Sequence, residues 1–333
     1  MPPRSLSLAM FLVFSCGCIP PLDDGVDSVP ADPADTDADA DTDTDADGDT
    51  DSDADADGDS DADTDADTDS DVDPNAWIQV GAGIQHSCAL KGDGSVFCWG
   101  SGSSGQTTPP SDSFVQISVG ENHACGITAA GSVRCWGDNT SGQTSAPYGT
   151  FAAVVAGGAH SCALDAEGNA TCWGRNTSGE STPPGGPYLE LGAGWCYTCG
   201  ITMDRTIECW GYGGSDRTLA PSGAFTSLGV GYDHACAIDQ GGTIECWGNS
   251  SSGRTEAPSG TFISVSSGAT HSCAIDGGNW LDCWGQSIYG ETIPPAGDFF
   301  DVASGHYHSC GIDSAHEVVC WGRDVEGQVS GAP

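Results

Sequence analysis

The 333-residue sequence predicts an all-β array of seven like units filling residues 77–333. Three observations carry that reading. Cys88, Cys125, Cys162, Cys199, Cys236, Cys273 and Cys310 recur at a fixed 37-residue period, and a period of that size means a solenoid, a propeller or a similar array. Each is followed ten positions later by a second cysteine (Cys98, Cys135, Cys172, Cys209, Cys246, Cys283, Cys320) and then by Trp-Gly. Between these markers lie short β-prone stretches bounded by Gly, Pro, Asn and Ser, with no helical periodicity.

Each unit opens on an aromatic residue: Trp77, Phe114, Phe151, Tyr188, Phe225, Phe262 and Phe299. A strand-like segment such as "FVQISVG" follows, then a hairpin bearing the cysteines, then a polar turn such as "GDNTSGQT" and a Pro/Gly stretch. If Cys88 faces Cys98 across the hairpin, Leu90 faces Val96 and His86 faces Gly100. The inner pair stays apolar in every unit, from Ile127 with Val133 to Ile312 with Val318. A non-hydrogen-bonded antiparallel pair brings side chains close enough for a disulfide, so register and cysteines agree. Zinc favours Cys-x-x-Cys knuckles converging on four ligands, and redox motifs want that spacing at a helix start; neither fits these hairpins. Six residues after the first cysteine stand Gly94, Gly131, Gly168, Gly242, Asn279 and His316, types that tolerate positive φ, with Arg205 the exception. The strand face beside each first cysteine carries only small residues, such as Ser87 and Ala89. That leaves room for the recurring Trp (Trp99 to Trp321) to pack between adjacent units.

The N-terminal part reads differently. Arg4 precedes the apolar run "SLSLAMFLVFS", which ends in "LVFSCGC". Residues 1–15 are expected to be a lipoprotein-type signal peptide and Cys16 the lipidated residue, with Cys18 the poorer fit and an ordinary secretory signal or uncleaved anchor the alternatives. Residues 16–76 are expected to be a disordered acidic linker. From Asp35 to Asp73 every odd position is Asp, and such a segment cannot bury enough apolar surface to order itself. "DTDADGDTD" and "DADADGDSD" open like EF-hand-type loops, yet their twelfth positions are Ala54 and Thr64 rather than a bidentate Glu. Weak calcium association with the linker is the most they support; no cofactor or metal site is expected. Formal charge is −40, which argues against nucleic acid as a partner. Seventeen cysteines imply export, and with the signal they point to the outer membrane or cell surface of a bacterium.

The repeated pattern Gly-x-x-His-x-Cys-Ala-Leu, then Gly, then Cys-Trp-Gly-x-Asn-x-x-Gly-Gln resembles the regulator of chromosome condensation repeat family. The likeness is to its short bacterial form, typified by β-lactamase inhibitor protein II, and covers residues 77–333. It implies a seven-bladed β-propeller, a closed ring with only short protected edges. The cysteine pair departs from the family, where those positions are usually apolar. Eukaryotic members act on a small GTPase and on chromatin, roles that the acidity, signal and cysteines here oppose. The resemblance implies a framework role for His86, His123, His160, His234, His271 and His308, hydrogen-bonded to a neighbouring loop; Tyr197 replaces the histidine in unit four.

Residues repeated seven times build the scaffold, so function is sought where the repeat breaks. Unit four supplies Trp195, Tyr197, Arg205, Tyr212 and Arg217 as candidate partner-binding residues, types enriched at binding hot spots. Met203, Trp280, Tyr289, His306 and Tyr307 are secondary candidates. Cys196 has no partner in the pattern and is either a free thiol or paired with Cys18. No nucleophile–base or paired-carboxylate signature departs from the repeat, so an enzyme is not expected. The expected function is a monomeric, lipid-anchored binding protein presenting one propeller face to a protein or glycan, with the membrane touched through the anchor only. A structural or adhesive protein with a calcium-responsive linker is the alternative.

Overall fold

A 37-residue unit of three short strands has too little surface to bury on its own; the units are stable because each buries its faces against two neighbours. In the computed structural model, which describes residues 73–333, seven three-stranded antiparallel sheets form the blades of a β-propeller. Each blade uses consecutive strands of one unit, as in Trp77–Ala82, His86–Lys91 and Val96–Gly100 of blade 1. The signal segment, Cys16 and the Asp repeat up to Val72 lie outside the described residues. Pro74 to Ala76, placed in the linker by sequence, belong to the fold instead. Their carbonyls accept hydrogen bonds from the blade 1 hairpin, Asp93 N to Pro74 O and Gly92 N to Ala76 O.

The expected register holds throughout. In blade 1 His86 pairs with Gly100, Cys88 with Cys98 and Leu90 with Val96, and the other six blades repeat this alignment. All seven disulfides are formed within blades, with Cα atoms 4.0 Å apart, the close spacing of a non-hydrogen-bonded pair. The hairpin residue six after the first cysteine has positive φ in every blade, Arg205 included at 63°. Turn geometry there overrides residue type.

The core is seven inter-blade interfaces rather than one centre. At each, the cystine and apolar pair of one blade meet the opening aromatic, small residues and Trp of the next; Cys88, Leu90 and Cys98 pack against Phe114, Ala124 and Trp136. Every Trp indole also donates to a carbonyl of the preceding unit's polar turn, at 2.8–3.0 Å, with acceptors Gln106, Gln143, Glu180, Arg217, Arg254, Glu291 and Gln328. Except for His86, the histidines bond not to a loop but to a hydroxyl on the next blade's middle strand, as in His123 to Ser161 and His160 to Thr198 at 2.8 Å. Blade 7 meets blade 1 by the same contacts: His308 to Ser87, Trp99 to Gln328 O, and Val80 N to Asp301 Oδ2. The ring therefore closes without exchanging a strand.

Candidate functional site

One pole of the ring, the turn face, is made by the Gly-x-x-His turns between inner and middle strands together with the polar turns after each Trp-Gly. The turns join around the axis by a ring of backbone hydrogen bonds: Ile84 N to Glu121 O, Glu121 N to Gly157 O, Gly158 N to Gly194 O, Trp195 N to Tyr232 O, Tyr232 N to Gly268 O, Ala269 N to Gly305 O and His306 N to Gly83 O. Glycine opens each turn because an added Cβ at Gly83, Gly231 or any equivalent would strike the next blade's glycine carbonyl. Below lies an axial channel of about 470 Å³, walled by the inner strands.

The residue after that glycine points to the axis, and there the repeat breaks most: Ile84, Glu121, Gly158, Trp195, Tyr232, Ala269 and His306. The large members lean across the small ones. Trp195 stacks on Tyr232 with ring centroids 4.4 Å apart, and Tyr232 stacks on His306 at 5.9 Å across the blade of Ala269. His306 abuts Tyr307 at 4.1 Å, and Tyr307 meets Tyr289 edge-on at 5.7 Å. The Arg175 guanidinium closes one end of this ladder, 5.7 Å from the Trp195 ring; Arg323 closes the other, within 6.0 Å of Tyr289 and Tyr307. Each inner ring thus has neighbours on both flat sides, Arg175 and Tyr232 for Trp195, Trp195 and His306 for Tyr232.

Polar groups brace the ladder. Arg175 bonds Glu180 at 2.8 Å and also donates to Trp195 O and to the sulfur of Cys196, itself disulfide-bonded. Asp233 binds Arg254 and Asn249, each at 2.7 Å; burial works to raise its pKa, but His234 and Arg254 hold it below the ordinary carboxylate value. Burial lifts Glu121 to about 7, against the pull of Arg175 and a hydrogen bond from Trp195, and its Oε1 has no hydrogen-bond partner. Burial, aided by Arg323 and Arg254, lowers His306 to about 4, so the imidazole in the ladder is neutral at pH 7. Among the described residues no three His, Cys, Asp or Glu side chains converge as metal ligands.

The five residues singled out by sequence do not form one patch. Trp195 lies in the ladder, and Tyr212 lies half-exposed on the same face. Arg217 is only 2% exposed, under the Tyr212 ring at 5.2 Å, and Tyr197 is wholly buried, its hydroxyl donating to His234 O at 2.7 Å. These two are framework residues that no partner can reach. Arg205 sits in a hairpin at the opposite pole. Among the secondary candidates, His306, Tyr307 and Tyr289 join Trp195, whereas Met203 and Trp280 lie with Arg205. Glu121, Arg175, Tyr232, Asp233 and Arg254 were missed, because each looks ordinary within its own unit. Reading the column 84, 121, 158, 195, 232, 269, 306 across units exposes Glu121 and Tyr232.

Comparison with known proteins follows this geometry. The regulator of chromosome condensation (RCC1) repeat matches residues 77–106, 114–143, 151–180, 225–254 and 301–328. Five of the seven blades thus match the RCC1 repeat. Blades 4 and 6 lie outside the match. The ectodomain of the Physcomitrella patens receptor kinase CR4 shares 27% identity with this chain, covering 74% of each chain with a TM-score of 0.65. The CRINKLY WD40 ectodomain of the Arabidopsis thaliana receptor kinase ACR4 is 24% identical over 76% of this chain and 98% of that one, TM-score 0.64. Prp20p of Saccharomyces cerevisiae, described with its binding to Gsp1p and histones, is 16% identical over 69% of this chain and 80% of its own, TM-score 0.59. No curated protein matches the sequence.

Proposed function

We propose that this chain is an exported binding protein, lipid-anchored through Cys16 at a bacterial outer membrane or cell surface, whose RCC1-type propeller presents its turn face to a protein partner. The observation that carries the reading is the ladder from Arg175 through Trp195, Tyr232 and His306 to Tyr307, a fixed aromatic row on a face otherwise made of small polar turns. Aromatic and Arg side chains held rigid by neighbours lose little entropy on binding and supply most of the energy at protein interfaces. A glycan is the poorer fit, since sugar recognition stacks on an open ring face and these inner faces are filled. The proposal takes the chain for a short bacterial form of the RCC1-type propeller, bound as a monomer and without catalytic chemistry. Support for a binding role outside the cell comes from the plant receptor ectodomains, and for protein partners from Prp20p, described with Gsp1p and histones.

Two measurements test this. Cross-linking on intact cells, with the linked partner identified by mass spectrometry, should recover one partner with the native chain and lose it in Trp195→Ala/Tyr232→Ala, while Arg134→Ala retains it. Equal recovery from both variants removes the turn face from the function. Metabolic labelling with a fatty acid should mark the native chain and not Cys16→Ala; label kept in the variant overturns the anchor.

A further inference from the structure

The opposite pole, the hairpin face, carries a feature that the turn-face reading does not use. In six blades the register between inner and middle strands slips after the first inner-strand residue, a β-bulge. The bulge buries the first and fourth residues together and turns the second outward around the channel mouth. Five of these outward residues are large and apolar: Ile78 is 40% exposed, Val115 58%, Leu189 46%, Ile263 60% and Phe300 52%. Ala152 and Thr226 complete the circle. Monomeric proteins rarely gather this many large apolar side chains on one exposed face, and a polar border marks such a face as a binding surface.

The border is acidic. Every hairpin except that of blade 2 contributes a carboxylate, namely Asp93, Asp165, Asp204, Asp239, Asp276 and Asp313, against Lys91 and Arg205 as the only hairpin cations. Hydrogen bonds from Ser95 and from Asn169 hold Asp93 and Asp165 below the ordinary carboxylate pKa, so these two stay ionised at neutral pH.

We infer that the hairpin face is a second docking surface, fitted to a cationic amphipathic helix of a protein partner: the apolar ring takes the helix's apolar stripe and the carboxylate border takes its Lys and Arg residues. Charge selects this occupant. A second copy of the chain would set one acidic border against another on a molecule of formal charge −40, and an anionic bilayer would be repelled in the same way. The surface is distinct from the Trp195 ladder, and either can fail without the other.

The test uses the full chain and a fluorescein-labelled synthetic Leu/Lys amphipathic helix, read by anisotropy at about 0.3 M salt, where a Debye length of roughly 6 Å mutes general attraction to the Asp-rich segment. A peptide of the same composition with its Leu and Lys scrambled out of helical register measures that general attraction. Ile263→Asn/Phe300→Ser alters only exposed side chains, and its fold is checked by circular dichroism. The amphipathic peptide should bind at least about tenfold more tightly than the scrambled one, and the double variant should abolish that margin, as expected when two apolar side chains lose their burial on binding. Trp195→Ala should leave it unchanged. Equal affinity for both peptides, or a margin that survives in the double variant, overturns the proposal. So does sedimentation of the native chain as a dimer that the double variant dissolves, or ring-dependent binding to phosphatidylglycerol vesicles that exceeds binding to the peptide.

Discussion

At the scale of single residues, the seven copies of each position act as internal controls. Where His123, His160, His234, His271 and His308 approach the next blade, Nε2 meets a Ser or Thr hydroxyl at 2.6–2.8 Å. Ser161 and Thr198 donate that hydroxyl hydrogen to Gln143 O and Glu180 O, so the imidazole must donate through Nε2–H, and the neutral tautomer is fixed. His86 is the exception: its neighbour is Ala124, and Nε2 is buried with no partner. Ala124→Ser should therefore stabilise the fold by about 1 kcal/mol, read as a higher urea midpoint. Ala235→Ser should gain nothing, because Tyr197 already reaches past that site to His234 O. Equal shifts in both variants would remove the hydroxyl from the account. A second case is Arg217. Its counterpart Arg254 has Asp233, but the equivalent carboxylate position in blade 4 is Cys196. Arg217 Nε and Nη1 are left without hydrogen-bond partners, facing only the rings of Tyr197 and Tyr212. Three blades hold Gln here, with Oε1 taking the N–H two residues before. Arg217→Gln should raise stability by about 1–3 kcal/mol, seen as a higher Tm; a lower Tm would show that the two ring contacts outweigh the desolvated charge.

At the scale of the blade, the hairpin was legible because three independent features had to agree on one register: the cysteines, the apolar inner pair and the turn residue. The inner strand was not. Alternation along "WIQV" places Trp77 with Gln79 and Ile78 with Val80, yet the bulge buries Trp77 with Val80 and leaves Ile78 in solvent. No residue type announces a bulge of this kind; it arises because the opening aromatic must reach the interface with the neighbouring blade. The disulfide crosslinks each hairpin covalently. Replacing Cys162 and Cys172 by Ala and Val preserves most of the apolar contact with Trp210 while removing the crosslink. A loss of about 3 kcal/mol in unfolding free energy is expected from closing so short a loop. The structure should remain a closed ring, since the other six blades and all junctions are untouched. Non-cooperative melting of the variant would mean that the crosslink holds the ring rather than the blade. Cys196, a half-cystine, should resist alkylation until reductant is added.

At the scale of the whole molecule, the scaffold could be read from sequence and the site only in part, for one reason: periodicity reveals what is the same in every unit, while the ladder arises from side chains of different units leaning over Gly158 and Ala269. Trp195, His306, Tyr307 and Tyr289 stood out in the sequence; Glu121 and Tyr232 acquire meaning only when the ring closes. Closure also couples stability to pH through groups that bridge blades. Asp301 Oδ2 accepts the Val80 N–H at 2.8 Å across the blade 7–blade 1 junction, and Glu190 Oε1 accepts from Leu228 N at 3.3 Å. Gln79 and Gln116 perform this task elsewhere without charge. Burial lifts Asp301 to about 6 and Glu190 to about 7. With folded pKa values above the unfolded ones, their contribution to stability is complete below about pH 4 and is lost as pH rises through 6 to 7. The histidines run the other way: burial lowers His86, His123, His160, His271 and His308 to about 3, so their contribution is present above pH 6.5 and is lost as pH falls towards 3. Asp301→Asn/Glu190→Gln separates the two trends, because it touches only the carboxyls. At pH 4, where native Asp301 and Glu190 are protonated, the variant should melt with the native chain. By pH 8 it should be more stable by an amount of order 2 kcal/mol, the gap opening between pH 5 and 7. A gap that does not change with pH would mean that these carboxyls are hydrated in the channel and carry their charge at no cost to the ring.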